Sequence, residues 1–476
     1  MRAHAEADPD HSRIAAVADM TDTNDNGAST APIRAHATDM AEALTREASA
    51  EELAGCQIPS TYVAAHLSRE DEGIFQGESD RDVRRSIRVG EVPMPELAPD
   101  EVLVAVMASA INYNTVWSAM FEPVPTFRFL ERLGREGGWY AHHDLPYHVV
   151  GSDAAGIVVR VGVGVRRWSA GDRVVAHPAW IDDQDPISQV DGMLGEGQRA
   201  WGFETNFGGL AEFAVVKASQ LLPKPEHLSW EEAACNTLCA VTAYRMLVST
   251  RGAGLKQGDI ALIWGATGGL GGYAIQLVRN GGGIAIGVVG SERKAQLLER
   301  LGCDLVLRRD RLELDGLSEV EMGKRVGTEI RRCLGEDPHI VFDYVGRKTF
   351  GASVYLVRRG GMVVTCGSST GYRHEYDNRR LWMSMKRIVG SHIANWQESW
   401  EANRLIAQGR IVPTLSKVYR LEQVGEAARE VQLNRHTGKI GVLCLAEREG
   451  LGVADPELRA SIGEDRLRLF REFASV

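Results

Sequence analysis

From Ser86 to Asn112 the chain reads SIRVGEVPMPELAPDEVLVAVMASAIN. Apolar residues alternate there in short stretches cut by proline turns, a period-two pattern that predicts strands. Short strands are predicted again at Gly156–Val161 and Asp172–His177. Residues 118–148 read as an irregular, aromatic-rich insertion, and 180–200 as a polar one. The texture changes near Pro223. Ser229-Trp230-Glu231-Glu232 is a capping-box pattern before an Ala-rich helix. Strands at Ile260–Trp264, Ile284–Val289, Leu305–Leu307, Ile340–Phe342, Met362–Thr365 and Arg387–Ser391 then alternate with helical stretches such as 270–280 and 292–301. That alternation predicts a parallel sheet of βαβ units. Helices Trp400–Gln408 and Leu421–Asn434 and a closing apolar strand, Gly441–Leu445, follow. The expected fold class is α/β: a β-rich catalytic domain made of 53–222 and 394–476, interrupted at 223–393 by a doubly wound parallel sheet. Residues 1–52 are rich in Ala, Asp, Thr, Glu and His and poor in aromatics; they read as a disordered tail, compatible with a short helix near Asp39–Glu52.

Composition narrows the function. In 476 residues, 44% are hydrophobic and 25% charged, which suits a globular protein. The charge sum, 54 − 64 = −10, disfavours nucleic-acid binding, which needs a basic face. Seven scattered cysteines without a CxxC pair suit reduced thiols, not a disulfide framework or structural zinc. The apolar runs fall short of the ~20 residues that cross a bilayer, so no membrane partner is expected. The polar N-terminus lacks a signal-peptide core, and the expected location is cytoplasmic.

The strand IALIW runs into Gly265-Ala266-Thr267-Gly268-Gly269-Leu270-Gly271-Gly272 and then a helix. Glycines allow the tight turn and let backbone N–H groups approach a pyrophosphate, and the helix N-terminus adds a favourable dipole. The strand-to-helix context makes this a dinucleotide site of the Rossmann kind. The next strand ends at Gly290-Ser291-Glu292-Arg293-Lys294. A hydroxyl with two cations, Ser291, Arg293 and Lys294, suits a 2′-phosphate, so NADPH is expected over NADH. Glu292 is the conflicting residue, harmless if it faces away.

A β-rich domain before a Rossmann domain, with Gly171-Asp172-Arg173-Val174 late in the first, resembles the medium-chain dehydrogenase/reductases. The first domain would then be GroES-like. Where zinc alcohol dehydrogenases of that group carry Gly-His-Glu, this chain has Gly151-Ser152-Asp153, and no cysteine lies between 57 and 234. No metal is therefore expected. The strings INYNTVW (111–117), WGFETNFGGLAEF (201–213), TFGASVY (349–355) and YDNRRLWMSMKRIVGSH (376–392) resemble the crotonyl-CoA carboxylase/reductase branch. The resemblance covers about 58–450. It implies NADPH-dependent reductive carboxylation of a 2-enoyl-CoA, crotonyl-CoA or a longer homologue. Hydride goes to the β-carbon and CO2 to the α-carbon, giving an alkylmalonyl-CoA such as ethylmalonyl-CoA. Neither biotin nor metal takes part, and the chain lacks a biotinyl-lysine motif and a P-loop.

The resemblance also implies site residues. The CO2 pocket falls on Asn114, Phe203, Glu204 and His392. The Asn114 amide and the Glu204 backbone N–H are expected donors to CO2 and Phe203 a water-excluding wall. The Glu204 carboxylate would order a water and orient His392. Arg379 and Arg380 are the expected CoA contacts; Arg380 replaces a tyrosine common in the family. Asp343-Tyr344-Val345 departs from a usual Glu-His-Pro. Ala200 and Ile393 are smaller than the residues usual there, which predicts a pocket for acyl chains longer than crotonyl. The family tends to form tetramers. Two alternatives share the fold: a plain NADPH-dependent enoyl-CoA reductase and a non-catalytic, crystallin-like NADPH-binding protein.

Overall fold

The computed structural model describes residues 39–46 and 48–474. The expected tail is the first correction. Asp39–Thr45 and Ala50–Gly55 are helices, and Met40, Ala43, Leu44 and Leu53 are buried in the main core. The second helix carries a complete Ser49–Glu52 capping box. Leu53 O accepts a hydrogen bond of 3.0 Å from Arg160 on the strand beneath. A few apolar residues at helical spacing offset the ordering entropy here, so ordered chain begins well before 53. The rest of the expected tail, 1–38 and residue 47, lies outside the described residues.

The β-rich part is built on a seven-stranded sheet. Its order is Leu221–Pro223, Arg173–Ala176, Ala154–Val161, Glu101–Ile111, Lys439–Leu443, Leu415–Arg420, with Phe213–Lys217 also pairing Glu101–Ile111. Glu101–Ile111 is buried along its whole length, because sheet and helices cover both faces. Lys439–Leu443 pairs antiparallel with its far end, Ile440 opposite Ile111, which returns the C-terminal chain to the first domain. A smaller antiparallel sheet, Arg88–Pro93, Thr61–Ser68 and Tyr147–Val149, packs alongside.

Both insertions are more ordered than their composition predicts. Residues 118–148 contain a helix, Phe127–Arg135, that buries Phe127, Leu130 and Leu133 at i, i+3 and i+6. The 180–200 segment is anchored by buried Asp191. Asp191 accepts from Arg245 at 2.7 and 3.2 Å and from the Asn395 amide at 3.1 Å. Glu398 takes the other face of Arg245 at 2.7 Å.

The second part is a six-stranded parallel sheet in the order Leu305–Arg308, Ile284–Val289, Ile260–Ile263, Ile340–Phe342, Met362–Thr365, Arg387–Gly390. In chain order this is 3-2-1-4-5-6, the dinucleotide-binding arrangement, and it matches the expected fold class. The order reverses between Ile260–Ile263 and Ile340–Phe342. No helix among the described residues is long and apolar enough to cross a membrane.

Candidate active site

The glycine loop opens at that reversal, where open parallel sheets bind ligands. Gly265 has φ +64°, and a Cβ there would meet the Tyr344 hydroxyl at 2.8 Å, so glycine is required twice over. Tyr344 donates to the Gly265 carbonyl at 2.8 Å. The helix Gly269–Asn280 follows at once, its first N–H groups facing the crevice. Ala266, Thr267 and Leu270 are buried beneath the loop. The unusual Asp343-Tyr344-Val345 is thus a brace. Asp343 accepts from the N–H groups of Val345 and Gly346 at 3.0 Å and from Thr349 and Ser353 at 2.9 and 2.6 Å. It fixes the turn that delivers Tyr344 to the loop.

At the tip of Ile284–Val289 the expected trio divides. Ser291 caps the next helix, accepting from Lys294 N at 3.4 Å. Lys294 is half-buried, and burial together with Arg309 lowers its ammonium pKa. The Arg309 guanidinium lies over the strand tip, 3.2 Å from where a Gly290 Cβ would stand. Arg293 turns the other way. It donates to Glu472 O at 2.7 Å and covers the Phe473 ring, tying down the C-terminal helices. Glu292 pairs with Arg308, which removes the conflict with a phosphate. His436 adds a buried Nδ1 with no hydrogen-bond partner, near enough to Lys294 for the ammonium to disfavour its charged form. Two neighbouring cations beside a helix N-terminus make an anion site, and these residues fit NADPH. The sequence reading missed Arg309 and His436. The basic run Arg308-Arg309-Asp310-Arg311 after the adjacent strand was the available signal for the first.

The four residues expected to form a CO2 pocket come from separate elements: Asn114 follows Glu101–Ile111, Phe203 and Glu204 follow Arg199–Ala200, and His392 follows Arg387–Gly390. Asn114 is the second residue of the helix Tyr113–Met120, and its Nδ2 lies 2.7 Å from Ser152 Oγ. Two residues earlier Asn112 donates to Asp153 at 2.7 Å. Asp153 is fully buried and accepts also from Lys439 at 2.9 Å, Leu238 N at 2.7 Å and the Thr237 hydroxyl. That cluster joins the two domains, as does Gly438 N donating to Thr267 O at 2.7 Å.

Gly151, just before Ser152, receives the chain of WGFETNFGG. Gly151 N donates to Gly202 O at 3.3 Å, and Gly202 has φ +67° with its Cβ direction closed by the Gly151 carbonyl. Only glycine permits this crossing, which presents Phe203 and Glu204. The Phe203 ring packs 5.9 Å from Phe129 of the insertion helix. The Glu204 amide was expected to be a free donor; it donates instead to Ala200 O at 2.7 Å. Its carboxylate accepts from Ala200 N at 2.7 Å, so Ala200 and Glu204 close a tight turn.

His392 is open to solvent on one side, and protein surrounds it on most others. That burial lowers its imidazolium pKa, the Glu204 carboxylate raises it, Arg245 lowers it, and the net direction is down. Its Nδ1 meets Gln198 Oε1 at 3.2 Å. The Gln198 Nε2 is buried without a partner, and a half-turn of that amide would bring it to the ring, so the contact fixes the place of the ring and not its tautomer. Gln198, from the polar insertion, touches the ring directly, and the Glu204 carboxylate acts on its charge. Ile393 follows with φ +45°. A β-branched residue there costs about 1–3 kcal/mol, held by burial of its side chain.

The place of the zinc ligands does not fit a zinc ion. Ser152 is committed to Asn114, and both Asp153 oxygens are taken by Lys439, Asn112, Thr237 and Leu238. Among the described residues, Glu101, His142 and His143 form one group of metal-capable side chains. His143 Nδ1 accepts from Asn206 N at 3.3 Å, so its Nε2 bears the proton and faces His142 Nε2 at 3.2 Å. Arg379 and Arg380 lie on the exposed helix Asn378–Trp382, apart from this group. Arg379 is paired with Asp377 at 2.9–3.0 Å, and Arg380 covers the Tyr355 ring at 4.8 Å.

Comparison with known proteins agrees with this geometry. Residues 98–226 match the alcohol dehydrogenase GroES-like domain and 269–408 the zinc-binding dehydrogenase domain. The chain is 53% identical over 424 residues to crotonyl-CoA reductase of Streptomyces avermitilis, covering 87% of this chain and 95% of that protein. It is 38% identical over 408 residues to crotonyl-CoA carboxylase/reductase of Cereibacter sphaeroides, covering 83% and 90%. The solved 2-octenoyl-CoA carboxylase reductase in complex with NADP and 2-octenoyl-CoA superposes with a TM-score of 0.90 at 58% identity, over 92% of this chain and all of that one. With these matches over most of its length, the chain belongs to the crotonyl-CoA reductase family of the medium-chain dehydrogenase/reductases.

Proposed function

We propose that this chain is an NADPH-dependent enoyl-CoA carboxylase/reductase acting on 2-enoyl-CoA thioesters of medium length. What supports the reading is that Glu204, next to Phe203, lies close enough to His392 to act on its charge, together with a switch-point glycine loop whose neighbouring strand tip carries Lys294 and Arg309. NADPH bound in the crevice supplies the hydride for the β-carbon. The protein's task is then to hold the enolate and decide what reaches its α-carbon. Phe203, backed by Phe129, narrows the cleft and keeps water off. Asn114 polarises CO2. His392, held at Nδ1 by Gln198 and kept neutral by burial, presents Nε2 to a water that hydrogen-bonds CO2.

Acyl length belongs to the same reading. Ala200 is small and buried beside Trp201 and Phe203, and Ile393 follows His392. Together with 58% identity to a 2-octenoyl-CoA enzyme, this supports chains longer than crotonyl. Arg379, with Arg380, is positioned as a contact for CoA phosphates once it exchanges Asp377 for them. A tetramer in the cytoplasm completes the reading. Exposed Trp382, Met383, Met385 and Ile388 at the free edge of the parallel sheet support contact between copies.

The test follows NADPH oxidation with crotonyl-CoA and 2-octenoyl-CoA, with and without bicarbonate plus carbonic anhydrase, and weighs the products by mass spectrometry. Products heavier by one carboxyl group, with octenoyl preferred, are expected. Saturated acyl-CoA alone at high CO2 would sink carboxylation, and a steep fall in kcat/KM with length would sink the acyl assignment.

A further inference from the structure

The Asn114 amide presents an unequal pair of atoms. Its Nδ2 lies 2.7 Å from Ser152 Oγ, while its Oδ1 is buried with no partner. An asparagine oxygen and nitrogen exchange places by a half-turn of the amide, and the hydrogen-bond network decides between them. In the turned orientation the Ser152 hydroxyl donates to Oδ1, and both Nδ2 protons face the cleft. The buried acceptor is then satisfied, and the donors stand where a CO2 oxygen needs them.

Ser152 suits this role alone. It is fully buried, and Asn114 is the one hydrogen-bond partner its hydroxyl has among the described residues. Its position is rigid. Asp153, next in the chain, is held by four groups from both domains, one of them Asn112, just upstream of Asn114. Asn112 on Asp153 and Asn114 on Ser152 clamp the start of the helix at two points.

We propose that Ser152 is a positioning residue for carboxylation: its hydroxyl donates to Asn114 Oδ1 and turns the Asn114 NH2 group toward the CO2 oxygen. The inference rests on the function proposed above and names a residue outside the four pocket positions. In zinc relatives that place holds a metal ligand; here it holds the partner of the CO2 donor.

The experiment measures the ratio of carboxylated to protonated product over a bicarbonate series for wild type, Ser152→Ala, Ser152→Thr and Ser152→Cys. Ser152→Ala lowers the ratio about fivefold, the worth of one ordinary hydrogen bond, through a higher KM for CO2. Hydride transfer falls less. Ser152→Thr, which keeps the hydroxyl, recovers most of the ratio. Ser152→Cys, close in shape and a weak donor, behaves like alanine without emptying the site. An unchanged ratio in Ser152→Ala and Ser152→Cys overturns the proposal, as does equal loss in Ser152→Thr. A second readout is independent of carboxylation: crystals of Ser152→Ala show the Asn114 amide displaced or split, and one unchanged orientation overturns the assignment. Wild type that makes no carboxylated product defeats the proposed function instead, and the crystals then decide the Ser152–Asn114 contact by itself.

Discussion

Replacing Lys439 by methionine tests the interdomain cluster most directly. Lys439 has 4% of its side chain exposed and Asp153 none. The ammonium donates to Asp153 at 2.9 Å, to Ile111 O at 2.8 Å and to Asn112 Oδ1. Burial opposes the charge, but the Asp153 carboxylate outweighs it and holds the Lys439 pKa above its ordinary value. The ammonium is therefore charged across the neutral range. Methionine keeps the stem and removes the charge, leaving a buried carboxylate with neutral donors only. Breaking a buried pair in this way costs about 3–5 kcal/mol. An unfolding entropy of about 2.1 cal/mol/K per residue over 476 residues is about 1.0 kcal/mol/K, so Tm falls by about 3–5 °C. Neutralising the survivor with Asp153→Asn in the same chain removes the uncompensated charge, so the double variant is more stable than Lys439→Met alone. The assay is a double-mutant cycle by urea unfolding, followed by tryptophan fluorescence. A coupling below about 0.5 kcal/mol, the level of independent sites, refutes the reasoning.

Four further outcomes are expected. Arg309→Ala raises the Kd for NADPH about 30-fold, the loss of one charged hydrogen bond of about 2 kcal/mol, and leaves NADH unchanged. Arg293→Ala lowers Tm and spares NADPH; calorimetric titration separates the two, and the reverse pattern restores the original trio. His148 and His177 are fully buried and held to a pKa of about 4 against an ordinary 6.5. The folded state keeps them neutral while the unfolded chain takes up protons, so stability is full above pH 6.5 and falls as pH drops toward 4, by up to about 3 kcal/mol for each. His148→Gln reduces that slope in Tm against pH, and an unchanged slope contradicts the account. Ala200→Leu fills the space beside Phe203 and lowers kcat/KM for 2-octenoyl-CoA at least about tenfold relative to crotonyl-CoA. Equal effects on both substrates would remove Ala200 from the acyl pocket.

What the sequence determined by itself is what local chemistry encodes. Alternation, capping boxes and the glycine loop between strand and helix are short-range signals, and they suffice for the α/β class and the dinucleotide site. The long strings around Asn114, Glu204 and His392 carried the family. The tertiary structure decided which atoms of those residues remain free. Sequence names Glu204 and Arg293, but only the folded chain shows that the first has its amide spent on Ala200 O and the second its guanidinium on Glu472 O. It likewise brings Gln198 to His392 across 194 positions and Ser152 to Asn114 across 38. Ordinary polar residues in an insertion or a turn carry no local mark of such roles. A hydrogen bond is satisfied by whichever group the fold brings within about 3 Å, and sequence separation does not enter that distance.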